Sequence, residues 1–137
     1  MSFSGDANDR LAIRELVDKY ADAVCRRNAD DWGSTWAEDS LWCVPEFPGL
    51  ERVEGRDAIV TAWSAAMDTF TLNYMHQSPG EIIVSGTGGT GRIHNFEVGV
   101  DLEGNRSQHI GTYEDRYIKI DGQWLFAERL YTPRYNF

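Results

Sequence analysis

The order of hydrophobic periods along the chain restricts its fold most. Apolar residues recur at helical spacing through the first half and at strand spacing through most of the second. After Asp9, the residues Leu11, Ile13, Leu16, Val17, Tyr20 and Val24 mark a long amphipathic helix that starts near an Asn8/Asp9 cap. Asp30 to Ala37 reads as a second, shorter helix with Trp32 and Trp36 one turn apart. Leu41 to Val44 reads as a short strand and Pro45 to Gly55 as a loop. Gly55-Arg56-Asp57 opens a third helix with Ile59, Val60, Trp63 and Met67 on its apolar face, ending before Asn73.

From Met75 onward the pattern is that of strands at Glu81 to Ser85, Arg92 to Val100, Gln108 to Ile120 and Gln123 to Tyr131. Turn signals at Gly86 to Gly91, Gly104 and Asp121-Gly122 separate them. Helices first and an antiparallel meander afterwards predict an α+β layer, with helices covering one face of a curved sheet. At 137 residues the chain fits one domain, expected over 1–137.

Composition narrows the partners. With 13 basic against 22 acidic residues, a net charge of −9 argues against a surface that tracks phosphates, so nucleic acid is not expected. No basic start precedes an apolar run and no stretch is apolar enough to span a bilayer, so no membrane partner and a cytoplasmic location are expected. Cys25 and Cys43 suit neither a disulfide framework nor a zinc site, and read as reduced thiols; no metal is expected.

Several residues carry possible chemistry. His94 shares a strand face with Phe96, Val98 and Val100, so an inward turn of that face carries the imidazole inward. His76 closes an apolar helical stretch, where Pro79 biases Ser78 toward extended backbone. Tyr113, Asp115 and Tyr117 alternate on one face; if that face lines a lumen, Tyr113 can bond a ligand carbonyl. Tyr20, Trp42, Trp63, Met67 and Phe70 could wall an apolar pocket or serve as core. His109 reads as structural and Asp22 as solvent-facing.

The helix with YADAVCRRNADDW, the WAEDSLW segment, the EGRDAI helix start and the terminal GTYEDRYIKIDGQWLFAER together resemble the SnoaL-like group of the nuclear-transport-factor-2-like superfamily. The resemblance runs from about Asn8 to Tyr131 and is strongest toward the scytalone dehydratase and dehydrochlorinase branch. It implies a cone-shaped (cystatin-like) α+β barrel, three N-terminal helices on a strongly curved, mostly antiparallel sheet, with a pocket at the open end. It also implies a cofactor-independent lyase or isomerase acting on a small cyclic or polyketide-like molecule. By position, YMHQ supplies His76 and GRIHNFEV supplies His94 as catalytic histidines; with the aromatic residues Tyr20, Trp42 and Trp63 read above as pocket wall, Cys25 and Tyr113 complete the set expected around the substrate.

Cys25 stands at the position of the branch's catalytic aspartate. A thiol steadies imidazolium less well than a carboxylate does, so a non-catalytic binding or assembly module is the alternative expectation. The superfamily often pairs through the outer sheet face, which implies a homodimer or higher homo-oligomer.

Overall fold

The computed structural model describes residues 3–136. The elements run β1 (Phe3–Ser4), α1 (Ala7–Arg26), α2 (Ala29–Gly33), β2 (Trp36–Cys43), β3 (Val53–Glu54), α3 (Arg56–Met67), β4 (Phe70–Ser85), β5 (Gly88–Asp101), β6 (Arg106–Ile120) and β7 (Gln123–Asn136). One seven-stranded sheet has the order β1-β4-β5-β6-β7-β2-β3. Its four long strands form an antiparallel meander, while β1 on β4 and β2 on β7 are parallel. This is an α+β fold with a mixed sheet and three helices.

The first helix starts at an Asp6 cap, whose carboxylate accepts from the Asp9 N–H at 2.9 Å, and not at Asn8/Asp9. Asp9 is left free to accept from Trp124 Nε1 at 3.0 Å and Lys119 Nζ at 3.1 Å, fastening the helix to the β6–β7 hairpin. These hydrogen bonds, that of Trp124 foremost, hold the Asp9 carboxyl below its ordinary range. The helix buries Ile13, Leu16, Val17, Tyr20 and Val24 against the sheet.

The second helix is shorter than its spacing suggested. It ends at Gly33, where a Cβ would lie 2.7 Å from Val60 Cγ2, and Trp36 already belongs to β2. The two indoles still meet, with ring centroids 5.7 Å apart, and Trp32 stacks on Trp63 at 4.6 Å. An aromatic cluster therefore joins α1, α2, α3 and β2 into one core.

The largest departure lies between residues 70 and 80. The stretch read as the end of a helical region is the first half of a sixteen-residue strand. Asn73 and Met75 point inward, whereas Leu72, Tyr74 and His76 point outward, an alternation only a strand gives. Pro79 suggested a boundary, but it sits at a β-bulge between Pro79 and Glu81 where the ladder is already interrupted. Further bulges in β6, at Ile110/Gly111 and Arg116/Tyr117, bend the meander around α1.

Candidate active site

Three closely registered rows build the inner face of the sheet. Met75, Glu97 and His109 are paired across β4, β5 and β6; Gln77, Asn95 and Gly111 form the next row; Ile93, Tyr113 and Tyr131 follow. Together with Tyr20 on α1, Trp42 on β2 and Trp63, Ala66 and Met67 on α3, the wider rows enclose a cavity of about 160 Å³. An apolar cavity of ~150 Å³ can hold benzene, so this one suits a molecule built on a single ring.

Two glycines make room on that face. A Cβ on Gly111 would collide with the Tyr131 ring, and one on Gly99 would lie 2.8 Å from Phe70 Cε1. Tyr131 consequently lies across Gly111, with its ring centroid 4.9 Å from that of Tyr113.

Beneath the cavity floor, Arg129 and Asp115 form a fully buried two-pronged ion pair at 2.8 and 3.0 Å. Tyr117 donates its hydroxyl to Asp115 at 2.9 Å, and Arg129 donates to Gln77, which in turn donates to Asn95 on the cavity wall. The guanidinium also lies within 4.1 to 4.4 Å of the Tyr20, Tyr113 and Phe126 ring centres. Burial raises the Asp115 carboxyl while Arg129 pulls it back, so both charges are committed to each other. Asp115 is a structural ion-pair member, not a spare acid for the cavity.

Glu97 is the opposite case. It borders the cavity with no hydrogen bond or ion pair among the described residues, and desolvation alone pushes its carboxyl up to about 7. Its side chain is half-buried because it faces the cavity, whose walls keep bulk water away. Desolvation also raises the cavity phenols: Tyr20 to about 12, despite Arg129, and Tyr113 and Tyr131 well above their ordinary value.

His109, directly across the ladder from Glu97, has both nitrogens engaged. Nδ1 pairs with Asn136 Oδ1 at 3.1 Å and Nε2 with Ser107 Oγ at 3.3 Å. Since the Asn136 oxygen can only accept, Nδ1 donates there, and Nε2 and the Ser107 hydroxyl share the second contact. Asn136 Nδ2 donates to Glu46 at 3.0 Å, extending this chain across the cavity mouth.

Of the residues singled out in the sequence, Tyr20, Trp42, Trp63 and Tyr113 line this cavity together. Cys25 does not. Its Sγ accepts from the Met75 N–H at 3.2 Å and reaches the Met75 carbonyl at 3.5 Å, so the thiol pins α1 to β4 behind the Met75 side chain.

The place at the pocket that the resemblance implies for the two catalytic histidines, His76 and His94, is corrected. Both face outward, where they border a shallow concavity with Phe96, Ile110, Thr112 and Arg134. His76 rests on Tyr74, and His94 Nδ1 lies 3.4 Å from Thr112 Oγ1. The outer face of β5 is the more apolar one, and this misled the inward assignment. The inner face instead presents Asn95, Glu97 and Gly99, a polar run whose meaning the sequence did not signal. Nothing in the sequence singles out Glu97 or Asn73 as pocket residues, and the structural reading of His109 gives it no place in a pocket. The signal available for Glu97 was its odd-numbered position, in phase with Ile93 on the same strand.

Among the described residues, no helix is long and apolar enough to cross a membrane, no acidic, histidine and cysteine side chains cluster as metal ligands, and both cysteines are unpaired.

Comparison with solved structures supports the architecture. A structure described as a putative scytalone dehydratase from Novosphingobium aromaticivorans superposes with a TM-score of 0.83 at 22% identity, covering 94% of this chain and 86% of the other. The hexachlorocyclohexane dehydrochlorinase LinA-type3 from Novosphingobium barchaimii gives 0.81 at 20% identity, covering 95% and 89%. The Kfla4162 protein from Kribbella flavida gives 0.87 at 17%, covering 96% and 95%. At these identities the likeness establishes the nuclear-transport-factor-2-like fold. No protein of curated function matches the sequence. The family model described as a SnoaL-like domain matches residues 5–130, nearly the whole chain, and the protein therefore belongs to the SnoaL-like domain family.

Proposed function

We propose that the protein is a cofactor-independent lyase or isomerase that moves a proton on a small cyclic molecule held in the lumen, with Glu97 as the acid/base group. The observation that carries this reading is an unpartnered carboxyl inside an aromatic cavity with its pKa pushed up to about 7. A general base works best when its pKa lies near the operating pH, and burial is the usual means of bringing a carboxyl there. His109 sets the mouth through Asn136 and Glu46, while its nitrogens are occupied. The dehydratase and dehydrochlorinase names of the structural neighbours favour elimination as the reaction class.

Hydrogen–deuterium exchange at the carbon next to the carbonyl of cyclohex-2-enone, followed by NMR in D2O, tests this without knowledge of the natural substrate. The wild-type protein should accelerate exchange with a profile governed by a group titrating near 7. Glu97→Gln should lower the rate by ~100-fold or more, the usual worth of a positioned acid or base. Full exchange by the folded variant would rule Glu97 out.

A non-catalytic binding module is the second reading, favoured by Cys25 being spent on the Met75 backbone. It predicts ligand binding with no exchange. In either reading we propose a homodimer formed through the outer sheet face, where Tyr74, Phe96 and Ile110 lie exposed in neighbouring register.

A further inference from the structure

Two acids line the cavity, and they differ in their partners. Glu46 at the mouth accepts from Asn136 Nδ2 at 3.0 Å, whereas Glu97 has no partner among the described residues. A carboxyl so placed escapes its desolvation in two ways, by holding a proton or by meeting a cation. The protein supplies no such cation. Among the described residues, no lysine or arginine lines the cavity. Arg129 is committed to Asp115 behind the ring layer, and Arg27 donates to the Asn73 side chain and the Met67 carbonyl.

The neighbours of Glu97 suit a positive guest. Desolvation is the main cause that raises the Tyr20, Tyr113 and Tyr131 phenols, and the charge of Glu97 adds to it, which puts the carboxyl within electrostatic reach of rings on α1, β6 and β7. Neutral phenol rings attract a cation through their faces. Arg129 already uses this attraction from beneath the floor, 4.4 Å from the Tyr20 ring centre and 4.1 Å from that of Tyr113, with its charge offset by Asp115. On the cavity side that attraction is unused among the described residues. Of the strands beside Glu97, β6 sets His109 opposite it, with both nitrogens on Asn136 and Ser107, and β4 sets the uncharged Met75.

We infer that the cavity is a receptor for single-ring molecules bearing a protonated amine, whose ammonium pairs with Glu97 among the phenol rings, and that such amines block the acid/base group. The inference rests on the lumen being the ligand site, as proposed above, and not on turnover. An anionic guest would be desolvated beside Glu97 with no fixed cation to receive it. The proton balance sets the pH dependence. Below about 7 the ammonium must displace the Glu97 proton to solvent, and above it the carboxylate is already free. An alkylammonium keeps its own proton up to about 10, as lysine does, so affinity rises through about 7 and holds above it.

Cyclohexylamine, cyclohexanol and cyclohexanecarboxylate are matched probes, titrated by calorimetry at pH 5.5 and pH 8. At pH 8 the amine should bind at least ten-fold more tightly than the alcohol, and the carboxylate no better than the alcohol. Lowering the pH to 5.5 should weaken the amine five-fold or more and change the alcohol by less than two-fold. Amine binding at pH 5.5 should also release a proton, read as a heat that varies with the ionisation enthalpy of the buffer. Glu97→Gln should abolish the preference for the amine and change alcohol binding by less than three-fold. Equal affinity for amine and alcohol, an amine affinity indifferent to pH, tighter binding of the carboxylate, or no binding at all would each overturn the inference in the wild-type protein alone. So would a preference kept by the folded Glu97→Gln variant. Amine-selective binding without cyclohex-2-enone exchange would defeat the catalytic reading and leave the amine site standing. Glu97-dependent exchange that cyclohexylamine does not inhibit would do the reverse.

Discussion

At the residue scale, Glu97 and Asp115 show how one residue type takes different roles according to its neighbours. Asp115 is deeply buried, yet two prongs from Arg129 and the Tyr117 hydroxyl satisfy it. Glu97 has a cavity in front of it and no partner among the described residues, so protonation is what relieves its desolvation. That assignment has a thermodynamic consequence. A carboxyl whose folded pKa lies near 7, above its ordinary 4.5, binds more protons folded than unfolded between those two values. Its contribution should therefore be fully present at low pH, decline from about pH 4.5 to 7, and be absent above. The span corresponds to at most about 3 kcal/mol, less any relief from cavity water. Chemical denaturation at pH 5 and pH 8 should show Glu97→Gln gaining stability relative to wild type as pH rises. A difference independent of pH would mean that the carboxyl is not desolvated in the folded protein. Cys25 shows the same contextual dependence: its chemistry at a catalytic position suggested a weakened site, whereas its bonds to Met75 make it a clamp between helix and sheet.

At the scale of elements, the placement of a β7 ring on the inner face depends on what β6 withholds. Gly111 lacks the side chain that would displace Tyr131, so the Tyr131 ring reaches across β6 toward Asn95. Gly111→Ala should push that ring into the cavity and cost roughly 1 to 3 kcal/mol through overpacking. The expected result is a lowered melting temperature together with loss of enone binding; unchanged binding would place the Tyr131 ring elsewhere. Elements also show why some readings succeeded. The α1 stripe, the Asp121-Gly122 turn and the odd-numbered face of β6 were legible because each depends on local spacing or turn chemistry. The first half of β4 was not legible, since its proline and its exposed Leu72 and Tyr74 blur the alternation that defines it. The β2 boundary was hidden for a related reason: Trp32 and Trp36 meet in the core from different elements, and spacing alone imitated a helix turn.

For the whole molecule, the outer sheet face is the feature that one chain leaves unused. Leu72, Tyr74, Phe96 and Ile110 are all more than a third exposed on strands β4 to β6. A second copy covering this face would explain why β5 is more apolar outside than inside. Light scattering should then give twice the 15.6 kDa chain mass, and Phe96→Asp should halve it. A monomer at micromolar concentration would refute this.

What the sequence determined by itself was the class of the fold, the order of its elements and the aromatic side of the pocket. These follow from periodicity, turn residues and bulk, which act within a few residues of one another. The direction of the histidines was decided only by the tertiary structure. Placing Tyr113 inward and His94 inward are both plausible locally, yet β5 and β6 pair Ile93 with Tyr113 and His94 with Thr112, so the two cannot hold at once. Register is a long-range property, and a shift of one residue exchanges the faces of a whole strand. That register turned Glu97 into the cavity and carried His76 and His94 to the outside. The chemistry proposed for the protein passed with it from imidazole to carboxyl.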